Sequence, residues 1–146
     1  MKRNLLVFSL ALGLFALNAC TETADLVEVI KPVPADSTAN FPTGQVKVDT
    51  TLFLRVYYQP SNGCGRFAMR DSSTVPEPNK PNTNITTIKI YAAYPEEGQD
   101  VVCTAQARRS IYTINFKPTT VGKHVFRFWK SDTEVVADTV EVIARN

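Results

Sequence analysis

Ile111-Tyr112-Thr113-Ile114-Asn115-Phe116-Lys117-Pro118-Thr119-Thr120-Val121-Gly122-Lys123-His124-Val125-Phe126 is the stretch that decides the fold. Ser110–Lys117 reads as one strand, ended by Pro118, and Gly122–Lys130 reads as the next. β-Branched and aromatic residues fill both arms, and the polar Pro118-Thr119-Thr120 between them is turn chemistry. Side chains alternate across a strand, so His124, Phe126 and Phe128 share one face of the second arm. Val125, Arg127 and Trp129 share the other.

The same grammar extends to both sides of this pair. Val46–Asp49, Thr51–Gln59, Arg66–Arg70, Ile85–Tyr94, a short Val101–Ala105 and the closing Glu134–Ala144 are further candidate strands. Pro60-Ser61-Asn62-Gly63 and Pro95-Glu96-Glu97-Gly98 punctuate them, and Asp71–Asn84, with Pro76, Pro78 and Pro81, reads as a polar loop. Six of the nine Leu lie in the first nineteen residues, whereas fifteen Val, seven Ile and sixteen Thr follow. Such β-branched bias favours strands over helices. The expected class is all-β, a single sandwich of seven or eight strands spanning residues 44–146.

Residues 111–126 also resemble the E–F corner of immunoglobulin-like domains, where a Gly-x-Tyr-x-apolar run follows a turn rich in Pro and polar residues. Gly122, His124 and Phe126 would take the glycine, corner and core positions, with His124 standing where the family has Tyr. Ala137-Asp138-Thr139-Val140-Glu141-Val142 is similar to the last strand of many bacterial immunoglobulin-like modules. The resemblance implies a β-sandwich and no particular enzyme.

At the other end of the chain, Met1-Lys2-Arg3-Asn4 is a short cationic start, and Leu5–Leu17 is a thirteen-residue run without charge. A run this short is a secretory signal and not a bilayer span, which needs about 20 apolar residues. Leu17-Asn18-Ala19-Cys20 resembles the bacterial lipoprotein lipobox. That resemblance implies cleavage after residue 19, a diacylated Cys20, and anchoring to the membrane through that lipid. With Thr21 instead of Asp after the cysteine, it implies sorting to the outer membrane, with either face open. Residues 20–43, with Pro32, Pro34 and Pro42, then read as a lipidated Cys and a tether. The alternative makes Leu26–Ile30 a first edge strand.

Charge follows the same division. The chain carries 16 basic and 14 acidic residues, and Lys2 and Arg3 account for the excess. This balance excludes a strongly basic nucleic-acid binder. With Cys20 assigned to lipid, Cys64 and Cys103 remain, and in an oxidising envelope they are most simply a disulfide. No Cys-x-x-Cys spacing supports the rival reading, a reactive thiol. A single His and the absence of ligand spacing leave no metal site or cofactor to expect.

His124 is the only conventional acid/base residue tuned near neutral pH; shared with Phe126 and Phe128, its face makes it a corner or core residue. Glu96-Glu97 reads as a solvated turn. The functional lead is aromatic. Tyr57 and Tyr58 are adjacent, so one faces away from the core, and Trp129 stands beside Arg127 on the outward face. Tyr57, Arg127 and Trp129 are therefore the candidate binding surface, fit to anchor a protein partner or stack a sugar ring. Four triplets resemble the Asp-Ser/Thr-small/apolar acceptor of periplasmic O-glycosylation and mark Ser37, Thr50, Ser72 and Thr139, with Asp36–Thr38 the most accessible. The expected function is a non-catalytic binding or interaction module at the outer membrane. Its alternatives are a glycan-binding accessory protein or, on the strength of Arg127-Phe128-Trp129 and Asn40–Gly44, an immunoglobulin-like cysteine-protease inhibitor.

Overall fold

Alternation governs the second arm as expected. In the computed structural model, which describes residues 26–145, Phe126 and Phe128 are 3% and 1% exposed. Arg127 between them faces solvent. The stretch expected to be a signal and lipobox, with Cys20, lies outside the described residues.

Nine strands form among the described residues: β1 (Glu28–Val33), β2 (Ala35–Ala39), β3 (Val46–Lys47), β4 (Leu52–Tyr58), β5 (Arg66–Pro76), β6 (Thr83–Pro95), β7 (Ser110–Phe116), β8 (Gly122–Trp129) and β9 (Val135–Ile143). They make two sheets, and among the described residues there is no helix. The larger sheet runs β1-β6-β8-β9-β3, with β5 also paired to β6; the smaller runs β2-β4-β7. The long β6 organises the larger sheet. β5 follows one of its edges from Asn84 to Ala93, while β8 and β1 lie against it at Thr83–Ile88 and Ile90–Pro95. β8 runs parallel to β6 and antiparallel to β9.

The core is the space between the sheets. Ile88, Ile90, Phe126, Phe128, Val140 and Val142 face Leu54, Val56, Tyr58 and Ile114 across it. Phe116 stands edge-on to Phe126 at 5.0 Å between ring centroids, a favoured aromatic arrangement. Each of the larger side chains contributes about 1.5–3 kcal/mol on burial. Gly122 opens β8 with φ at +124°, and a Cβ there would lie 2.0 Å from the Asn82 carbonyl oxygen. That oxygen accepts the Lys123 N–H at 2.8 Å, so only a glycine lets β8 begin beside the start of β6.

Three sequence expectations give way. The tether assigned to residues 20–43 is replaced from residue 28 onward by β1 and β2, so the sheets begin well before residue 44. Val33 and Ala35 are 1% and 2% exposed. Pro32 is tolerated because β1 pairs only with β6, leaving an edge where a missing N–H costs nothing. Asp71–Pro76 continues β5 and is not loop. No strand forms at Val101–Ala105; Val102 is 95% exposed in a connection held by the Cys64–Cys103 disulfide.

Candidate functional site

Strand register places the candidate residues. Phe126 and Phe128 point into the core, so Lys123, Val125, Arg127 and Trp129 all lie on the outer face of the larger sheet. Trp129 is opposite Val135 of β9, and Arg127 stands between Thr87 of β6 and Ala137 of β9. Trp129 is half-buried, where full exposure was expected, because a neighbour covers it. The Lys89 Nζ of β6 sits 4.4 Å from the centroid of its ring and 6.0 Å from that of Tyr91. A cation over an aromatic face is held by the ring's quadrupole, worth about 0.5–1 kcal/mol at an exposed site.

Around this pair three exposed apolar side chains gather. Ile30 (β1), Met69 (β5) and Val135 (β9) are 55%, 46% and 51% exposed and flank Tyr91 and Trp129. Asp71 stands opposite Lys89 in the β5–β6 register, yet among the described residues Lys89 makes no ion pair. Lys89, Tyr91, Met69 and Ile30 were invisible as site residues, since only the sheet order brings them beside Trp129.

The outer face ends in a depression of about 680 Å³ beyond Arg127. Gln45, Glu77, Lys80, Lys123, Thr139 and Glu141 line it together with the Pro42-Thr43-Gly44 segment. Gln45 donates its side-chain amide to Glu141 at 3.0 Å, and Lys80 pairs with Glu77 at 2.8 Å. Alternating donors and acceptors are thus already partly engaged with each other.

Tyr57 is not part of this surface. It lies on the outer face of the smaller sheet, opposite Ile111, with the Arg109 guanidinium 4.2 Å from its ring centroid. Arg109 also pairs with Asp36 and donates to the Ser37 hydroxyl. Tyr58 faces the core at 3% exposure, and burial raises the pKa of its hydroxyl despite a hydrogen bond with the Ser110 side chain. The structure therefore brings Arg127 and Trp129 together and leaves Tyr57 on the far side of the sandwich.

The remaining candidates fall as follows. Cys64 and Cys103 are bonded, joining the β4–β5 and β6–β7 connections. Gly63 N–H donates to the Thr104 carbonyl at 2.9 Å beside the bond, where a Cβ on Gly63 would meet the Thr104 hydroxyl. His124 is 9% exposed, packs on Phe116, and its Nε2–H donates to the Thr120 carbonyl at 3.1 Å. Ser37 lies in β2 under Arg109 and not in an open tether. Thr50 is exposed in the β3–β4 turn, Ser72 on β5 and Thr139 on the rim of the depression. Among the described residues no three His, Cys, Asp or Glu side chains gather to hold a metal. No protein-family model matches the chain, and no curated protein or solved structure resembles it significantly.

Proposed function

We propose that the chain is a lipid-anchored, non-catalytic interaction module of the bacterial outer membrane that engages a protein partner through the outer face of its larger sheet. The observation that carries the reading is the ledge of Trp129, Lys89 and Tyr91 bordered by exposed Ile30, Met69 and Val135. Aromatic and methionine side chains are what protein interfaces enrich at their centres, and Lys89 would have to leave or share its rings for a partner to reach them. The anchor reading rests on Leu17–Cys20, and a Cys64–Cys103 disulfide accords with an oxidising compartment. An immunoglobulin-like assignment of the sandwich is supported by β7 and β8 lying in opposite sheets and by His124 bonding back to the Thr120 carbonyl, as a corner tyrosine would. The parallel β6–β8 pairing departs from that family's antiparallel sheets.

A glycan partner is the second reading, favoured by the polar depression with Gln45, Lys80, Lys123 and Glu141. Lys89 over the Trp129 ring argues against sugar stacking at the ledge itself. Crosslinking in intact cells from a photoreactive residue at Thr87 separates these readings. A protein adduct that is lost in Trp129→Ala supports the interaction module, with binding weakened about thirtyfold or more, the loss of a central interface aromatic. Adducts that persist in that variant, or only glycan adducts, defeat it. For the anchor, Cys20→Ser is expected to release the protein from the membrane fraction; unchanged partitioning refutes lipidation.

A further inference from the structure

Among the described residues, every edge of the two sheets but one carries a device against pairing with another chain. β1 has Lys31 and Pro32, and β3 is two residues long. β2 has Asp36 and a register break between Ala35 and Ser37; β5 has Arg70, Asp71 and a break between Phe67 and Met69. The stretch of β9 beyond β3 turns Asp138 inward, where Thr38 of β2 bonds to it at 2.5 Å. Charges, proline, bulges and shortness are the usual ways of blunting an edge. β7, Ser110–Phe116, has none of them: seven uncharged residues rich in β-branched and aromatic side chains, paired among the described residues on one side only, to β4.

Beside this edge the sandwich is open. Arg70, Ser72 and Thr74 of β5 point inward, because they pair with Ile90, Ile88 and Thr86 of β6. With Phe116 of β7 and His124 below, they line a cleft of about 410 Å³. Phe67 of β5 also stacks on Tyr112 of β7, at 5.3 Å between ring centroids. No carboxylate lines the cleft, and Arg70, 5.5 Å from the Tyr112 ring centroid, makes no ion pair among the described residues.

We infer that β7 is a docking edge for an extended peptide of a partner protein, added as a fourth strand to the smaller sheet with an acidic side chain turned toward Arg70. Main-chain bonds to β7 supply the attachment, and the cleft selects the inward side chains, the division of labour in strand addition. Arg70–Thr74 spans roughly five residues of strand at about 3.3 Å each. A second copy of the chain is the competing occupant of this edge, and the concentration dependence of protection tells the two apart. This surface is separate from the Trp129 ledge, and the inference stands whether or not the ledge binds anything.

The test uses the full chain in detergent and two capped peptides, Thr-Val-Glu-Val-Thr and the same peptide with Lys for Glu. Amide hydrogen exchange is followed by NMR. The Glu peptide at millimolar concentration is expected to slow exchange at the alternate β7 amides that face away from β4. It is expected to bind about tenfold more tightly than the Lys peptide, the margin of a charge-assisted hydrogen bond. Arg70→Glu, at an exposed position, is expected to reverse that order while leaving the fold intact. Protection by neither peptide overturns the inference. So does protection that grows with protein concentration alone, which would make a second copy the occupant, or a peptide preference unmoved by Arg70→Glu.

Discussion

Trp129 and Tyr57 are both outward-facing aromatics capped by a cation, one on each side of the sandwich, and they differ in what holds the cation. Arg109 over Tyr57 is fixed by Asp36 and Ser37 of β2, so the contact ties the β6–β7 connection to the smaller sheet. Lys89 over Trp129 has no such partner and rests on the aromatic rings. The same chemical motif is a structural clasp on one face and an available surface on the other. An aromatic beside a cation therefore says little about binding until the cation's remaining partners are known.

The largest test of this contrast is the disulfide. Cys64→Ser with Cys103→Ser is expected to lower stability by about 4 kcal/mol, the chain-entropy value for a loop of this size. The sequence separation is 39 residues. Denaturation by urea gives the number. The clasp side should loosen first, because the disulfide spans that connection and its loss leaves only hydrogen bonds such as Gly63–Thr104 and Gln59–Ala107, with the Arg109 contacts, to hold it. Trp129 fluorescence should be unchanged in the folded variant. A shifted Trp129 emission would show that the two faces are not independent.

Next come the cations themselves. Arg109→Ala is expected to cost about 1 kcal/mol, since its ion pair is substantially exposed and discounted by solvent, leaving the ring contact and hydroxyl bond. Lys89→Ala should cost about 0.5 kcal/mol, the low end for an exposed cation–ring contact, while changing Trp129 fluorescence. Equal losses of stability in the two variants would erase the distinction drawn above.

How much of this was readable in the chain depends on where each strand's inward side lies. β8 declared itself because Phe126 and Phe128 alternate with Lys123, Arg127 and Trp129 over a buried face. β1 and β2 did not, because only Val33 and Ala35 of that stretch are deeply buried, and prolines and acids around them look like a spacer. Asp71–Pro76 was hidden for a different reason. Its inward residues, Ser72 and Thr74, face an open cleft and not the core, so no apolar period appears. The Trp129–Lys89 pair needed the parallel β6–β8 register, which no spacing along the chain encodes.

The smallest expected effect lies beneath the Tyr57 clasp, at its neighbour on β4. Tyr58 is 3% exposed, and burial, the leading cause, raises its hydroxyl pKa above the usual value near 10. Coulombic interaction with Tyr94 adds to the rise, against the lowering hydrogen bond from Ser110. A raised folded-state pKa means that the neutral hydroxyl is favoured by the fold. Its contribution is fully present below the unfolded pKa, about 10, and is lost as pH climbs through the higher folded value. Urea midpoints measured across the alkaline range should therefore fall more steeply for the native chain than for Tyr58→Phe. Parallel curves would mean that the hydroxyl reaches water, and that the inner side of β4 is less closed than the outer clasp makes it.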